Sequence, residues 1–183
     1  MSVPEKKLYD IVADFLEKEK NCDNVIVDKV SFEFDGLKRM RIDVVGANPP
    51  YIYAVEVKRG FNFDLLSAAL MQASNYRTAC TDVYIAFPIV AFENEREELK
   101  NYARKQCENL GIGLLLIGDN KVREEVKPNR DLAKQFLDYE KYYNVFKQLV
   151  GVLERNTRIR LLRALGSLTT FYYLIKSLSL IHI

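Results

Sequence analysis

Apolar residues recur at helical spacing near the start of the chain. Leu8, Ile11, Val12, Phe15 and Leu16 share one face of a helix that begins at Pro4 and Glu5 and ends near Lys20. The period then shortens to two. Residues 25–34 and 38–46 predict two strands joined by an Asp35-Gly36 hairpin turn, and 51–58 predicts a third after the Asn48-Pro49-Pro50 break. Beyond them the pattern alternates: helix 64–79, a short apolar strand 82–87 closed by Pro88, a charged amphipathic helix 93–109, and a buried strand 112–117. Gly118-Asp119-Asn120 turns the chain into an edge strand at 121–126. After Pro128 only helical patterns follow, one capped by Asp131 and running to about Val150, another over 156–176. A three-strand meander followed by β-α-β units predicts an α/β fold, a mixed β-sheet flanked by helices, with a C-terminal helical extension.

Composition narrows the chemistry more than the fold. The chain has 183 residues, 49% of them hydrophobic and 28% charged, an ordinary globular balance able to bury a core without staples. Cys22, Cys80 and Cys107 are widely spaced, with no C-x-x-C pair, which argues against a zinc site or disulfide framework and suits a reducing, cytoplasmic setting. The single histidine is His182. Histidine bases, Ser-His-Asp triads and histidine-rich metal sites are therefore excluded from the body of the chain, and any catalysis would run on carboxylates and lysine, with or without a hard metal. No secretory signal opens the chain, and 164–183, broken by Lys176, is a poor membrane span. Residues 178–183 read as the translation of a transposon-end sequencing adapter. They are expected to be non-native, with the natural chain continuing past Ser177.

Charge is uneven along the chain. Residues 141–176 carry seven Lys/Arg against one acid, Glu154, although the net charge is only +2. That is where attraction to a polyanion would be sought. Arg155, Arg158, Arg160 and Arg163 could track a nucleic-acid backbone, or form the wet face of a packed helix.

In the second strand, a period of two puts Arg39, Arg41, Asp43 and Val45 on one face and Met40, Ile42 and Val44 on the other. In the third, Ile52, Ala54, Glu56 and Lys58 share a face, and pairing brings Asp43 beside Glu56 and Lys58. Two carboxylates and a lysine at strand ends inside a covered sheet are expensive to bury unpaired. A hard divalent cation resolves that cost, because Mg²⁺ prefers carboxylate oxygens and water.

Asp43, then Glu56-Val57-Lys58 after a twelve-residue gap, resembles the PD-(D/E)xK nuclease superfamily, which includes restriction endonucleases, Holliday-junction resolvases and RecB-type exonucleases. Glu5 on the first helix matches a glutamate that some members carry. Gln72-Ala73-Ser74-Asn75-Tyr76 matches the RecB-like Q-x-x-x-Y motif and places Gln72 and Tyr76 on one helical face. The resemblance spans 4–127, so residues 1–127 are expected to form a restriction-endonuclease-like core and 128–177 a truncated helical extension. Ile42 stands where many members have proline.

The resemblance implies the following roles. Asp43, Glu56 and the Val57 carbonyl would ligate Mg²⁺, which Mn²⁺ can replace, and Glu5 would reach it through water or complete a second site. Lys58 would orient the attacking water or stabilise charge in the transition state. Gln72 would hold the lysine or the scissile phosphate, with Tyr76 bracing it. Arg39, Arg41 and Arg59 flank the site and could clamp phosphates, though such charges also serve simply as solvated surface. Tyr142, Tyr143, Tyr172 and Tyr173 could stack bases, or pack in a core or interface. Gly111-Ile112-Gly113 lacks a third glycine and Gly118 is followed by Asp119, so neither a dinucleotide fingerprint nor a P-loop is present. The expectation is a Mg²⁺-dependent nuclease, a DNA endonuclease, with nucleic acid as partner, no membrane, and a homodimer compatible with the family's habits. The competing expectation is a nucleic-acid-binding or regulatory module that keeps the fold without cleaving.

Overall fold

The computed structural model describes residues 5–34 and 38–152. The Asp35-Gly36 turn, the arginine run from Arg155, the 156–176 helix with its tyrosines and the suspect tail lie outside them. Within the described residues, α1 (Glu5–Glu19) leads into β1 (Asn24–Phe34), β2 (Lys38–Asn48) and β3 (Tyr51–Val57). Then come α2 (Phe63–Tyr76), β4 (Asp82–Pro88), α3 (Ile89–Glu93), α4 (Glu97–Leu110), β5 (Gly113–Ile117), β6 (Val122–Val126), α5 (Arg130–Lys134) and α6 (Tyr139–Val152).

The six strands lie side by side in chain order. β1, β2 and β3 pair antiparallel, β3, β4 and β5 parallel, and β6 returns antiparallel on β5. The sheet is mixed because the hairpin-linked strands form a meander, while α2 and then α3–α4 carry the chain back between parallel strands. One sheet face packs Leu66, Ala69, Ala73 and Tyr76 of α2 with residues of α4 and α6. The other packs Leu8, Val12, Phe15 and Leu16 of α1. These four recur at the predicted helical spacing, and each contributes about 1.5–3 kcal/mol by leaving water.

Two expected helices divide differently. The stretch after Pro88 starts a short α3 at once, which buries Phe92 against Phe61 (ring centroids 4.7 Å apart), and α4 begins only at Glu97. The C-terminal helix is capped by Asn129 rather than Asp131: Asn129 Oδ1 accepts from the amides of Asp131 and Leu132. It then stops, because Asp138 Oδ1 accepts from the amides of Glu140 and Lys141 and starts α6 afresh. Along β1, the Gln148 side chain of α6 occupies both main-chain groups of Ser31. Its Oε1 accepts from Ser31 N at 3.0 Å, and its Nε2 donates to Ser31 O at 2.5 Å.

The predicted faces of β2 hold only in part. Ile42 packs with Val45 and Ala47, while Val44 packs on the α1 side, so the alternation slips by one at Asp43. The cause lies across the ladder. The β1–β2 register shifts between Val27 and Val30, which places Asp43 opposite a bulge whose Asp28 has φ 55°.

Candidate functional site

β3 delivers two apolar side chains, Ile52 and Ala54, into the core beneath α2. The next side chain in that row is a carboxylate. Glu56 is 2% exposed, a placement that needs partners to be tolerable. It has two. Tyr76, from the last turn of α2, reaches Glu56 Oε2 at 2.6 Å, and Lys58 Nζ donates to Glu56 Oε1 at 2.6 Å. The phenol also lies 2.7 Å from the Arg41 carbonyl, so its single proton is shared between two acceptors. Burial, then the adjacent Glu56 charge, hold this phenol far above its ordinary value, which keeps it a donor. Lys58 Nζ donates as well to Gln72 Oε1 at 2.7 Å, so the residue one turn before Tyr76 on α2 holds the lysine from the other side.

Asp43 arrives from β2. The β2–β3 pairing runs from Asn48↔Tyr51 to Val44↔Val55, and beyond it Asp43 Oδ2 accepts from the Val57 amide at 2.9 Å. The carboxylate replaces a main-chain partner and fastens β2 to the carboxyl end of β3. The sequence put Asp43 there by simple alternation, and the structure reaches the same neighbourhood through the bulge. α2 closes the site, its first turn capped by Asn62 Oδ1 on the Leu65 amide (2.9 Å). Asp43, Glu56, Val57, Lys58, Arg59 and Leu65 line a pocket of about 440 Å³ at the carboxyl ends of the parallel strands, where open α/β sheets commonly bind ligands.

The structure thus brings together Asp43, Glu56, Val57, Lys58, Gln72, Tyr76 and, in the pocket wall, Arg59. Arg39 and Arg41 are placed elsewhere, on the exposed β1–β2 ribbon. Arg39 Nε donates to Ser31 Oγ at 2.7 Å, and Arg41 pairs with Asp28 Oδ1 at 2.6 Å while also donating to the Asp28 carbonyl. Glu5 opens α1, and its side chain lies outside the described residues. Tyr142 is buried and donates to the Pro50 carbonyl, a packing role, whereas Tyr143 is exposed.

No family model matches the chain, and no curated protein does. Among solved structures, the chain is similar to the SPO1766 protein of unknown function from Silicibacter pomeroyi. That alignment has a TM-score of 0.53 at 18% identity, over 88% of this chain and 92% of the other, a likeness of fold. Protein VC1899 from Vibrio cholerae aligns with a TM-score of 0.40 at 15% identity, over 74% of this chain and 32% of that one.

The donors in the pocket are all oxygens: the carboxylates of Asp43 and Glu56 and the Val57 carbonyl. That set suits Mg²⁺ or Mn²⁺ far better than a soft metal. Among the described residues, no three His, Cys, Asp or Glu side chains converge into a group that could hold a metal by side chains alone. No helix among the described residues is long and apolar enough to cross a membrane.

A second pocket escaped the sequence altogether. It measures about 560 Å³ and opens at the amino ends of β3 and β4, lined among others by Lys20, Asp82, Tyr84, Glu124, Lys127 and Arg130. Asp82 is 2% exposed, and Arg130 Nε donates to both its oxygens at 2.8 and 3.0 Å. Arg130 also reaches the Tyr53 hydroxyl at 3.0 Å and stacks 3.6 Å from the Tyr51 ring centroid. Lys20 and Tyr84 both donate to Glu124 Oε1, at 2.8 and 2.7 Å. Gly113 permits this arrangement, since a Cβ there would sit 2.3 Å from the Tyr84 ring. Such partners lie 40 to 104 residues apart in sequence, and no local pattern announces them.

Proposed function

We propose that the chain is a metal-dependent nuclease of the PD-(D/E)xK kind on a restriction-endonuclease-like core, cutting phosphodiester bonds in nucleic acid as a DNA endonuclease. One observation carries the reading: Lys58 Nζ lies 2.6 Å from Glu56 and 2.7 Å from Gln72, in a pocket also lined by Asp43. A structural ion pair has no need of that second carboxylate, Asp43, in the same pocket. A cytoplasmic setting accompanies the proposal, supported by the three buried cysteines as free thiols.

Asp43, Glu56 and the Val57 carbonyl would hold Mg²⁺. Bound there, the cation would lower the pKa of a water and neutralise charge on the phosphoryl oxygens. The protein's own groups do the rest. Asp43 is kept in place by the Val57 amide, and the Tyr76 hydroxyl fixes the orientation of the Glu56 carboxylate. Gln72 directs the Lys58 amine, whose positive charge orients the attacking water or stabilises charge as the phosphorus–oxygen bond breaks. Arg59, in the same wall, is placed to meet a phosphate.

The test is a cleavage panel with supercoiled plasmid, linear duplex, single strand, four-way junction and RNA, each with Mg²⁺, Mn²⁺ or EDTA. Metal-dependent cutting of DNA by the wild type, lost in Asp43→Ala and Lys58→Ala, is the expected result. Binding without cutting would replace the reading with that of a non-cleaving module, and neither binding nor cutting would end it.

A further inference from the structure

Glu56 has two oxygens, and each is engaged by a separate donor: Oε1 by Lys58 and Oε2 by Tyr76. The two donors differ in freedom. Tyr76 is fully buried, and its hydroxyl is also held by the Arg41 carbonyl. Lys58 retains 18% side-chain exposure and already contacts a second acceptor, Gln72 Oε1. A dication taking Glu56 would therefore meet the lysine, not the phenol, as the group able to yield. Two cations drawn to one carboxylate oxygen in a largely dry site repel strongly, so shared occupancy is unfavourable.

We propose that Lys58 and a divalent cation compete for Glu56 Oε1, so that loading the cation releases Lys58 onto Gln72 and into the pocket. The inference rests on the metal-dependent reading above and adds an interlock to it. While the cation is absent, the lysine neutralises the buried carboxylate and is withheld from substrate. Once the cation is loaded, the same amine is available to a phosphodiester. Gln72 is then a positioning residue, the acceptor that keeps hold of the lysine when it leaves Glu56. The second carboxylate is already prepared, because Asp43 uses Oδ2 on the Val57 amide whether or not Lys58 moves.

The experiment needs no catalysis. Metal-stripped protein is titrated with Mn²⁺ while free ion is counted by electron paramagnetic resonance, and Mg²⁺ is used to displace it. Lys58→Met is expected to bind Mn²⁺ at least about tenfold more tightly than the wild type, because the competitor is gone. Arg59→Met removes a like charge from the same pocket and is expected to change affinity by less than about threefold. In the wild type, saturating Mn²⁺ should increase acetylation of Lys58, read by mass spectrometry. Equal affinity in wild type and Lys58→Met, or an equal gain in Arg59→Met, overturns the competition and leaves the nuclease reading intact. Absence of Mn²⁺ binding in folded wild type and folded Lys58→Met overturns the metal-dependent reading itself. If circular dichroism shows Lys58→Met unfolded, the labelling decides, and unchanged Lys58 reactivity across the titration overturns the proposal.

Discussion

The two ends of the parallel strands β3 and β4 each carry a pocket with a buried acid, yet the acids are matched by different logic. At the amino ends, Asp82 of β4 meets Arg130 of α5, and Glu124 of β6 meets Lys20, just past α1. Every pair there ties together elements remote in sequence. At the carboxyl ends, Glu56 meets Lys58, two residues along in sequence, and only the neutral side chains of Tyr76 and Gln72 link that pair to α2. An ion pair between sequence neighbours still requires dehydrating its carboxylate, so the charge pairing itself is a poor device for holding a fold. Under the proposed function, the contrast separates charges kept for architecture from charges kept for chemistry.

Removing the same-strand pair should produce the largest effect, and on activity alone. In the double variant Glu56→Gln/Lys58→Met, cleavage is expected to fall by three orders of magnitude or more, about 4 kcal/mol in the barrier. Its unfolding free energy, from urea titration, should equal or exceed that of the wild type. A clear loss of stability would erase the distinction. The opposite outcome is expected at the other pocket. Asp82→Ala strands the hydrogen bonds of Arg130 and Thr81 and should destabilise the protein by about 2 kcal/mol, a figure at the low end because Arg130 is 40% exposed and water can resolvate it. Cleavage per folded molecule should be unchanged.

A smaller effect follows from pH. Burial, and after it the Asp82 charge, push the Cys22 thiol and the Tyr53 phenol up to about 12 from ordinary values near 9 and 10. The folded state keeps these protons where the unfolded chain has released them, so raising the pH from 9 towards 12 favours unfolding. At pH 10 the thiol alone should account for roughly 1 kcal/mol. Asp82→Asn should make the decline shallower, because one contributor to both shifts is gone. Urea midpoints at pH 8, 9 and 10 measure this, and an unchanged slope in the variant would show that Asp82 does not reach these groups.

Much of this was legible from local pattern. The meander, the β-α-β alternation and the row Ile52, Ala54, Glu56 follow from periods of two and of roughly three and a half. Gln72 and Tyr76 could be assigned to one side of α2 because a four-residue spacing decides it. What stayed hidden depends on irregularity or distance. The slip at Asp43 comes from a bulge in the neighbouring strand, which the periodicity of β2 itself cannot reveal. The break before α6 arises because Asp138 outcompetes helix continuation for two amides. The pairing of Arg41 with Asp28 depends on the bulge in β1, where Asp28 has a left-handed backbone, and the alternation in β2 carries no sign of it. The partners of Asp82 and Glu124 become neighbours only after the sheet has formed.

The amide of Gln148 on Ser31 carries a consequence for self-association. β1 is an edge strand of 11 residues, long enough to template a strand from another molecule. By filling the outward hydrogen bonds at Ser31 with a side chain, α6 blocks continuous pairing along that edge. Continuous strand addition along β1 must first displace the Gln148 amide from Ser31, so α6 interrupts the template at that point among the described residues.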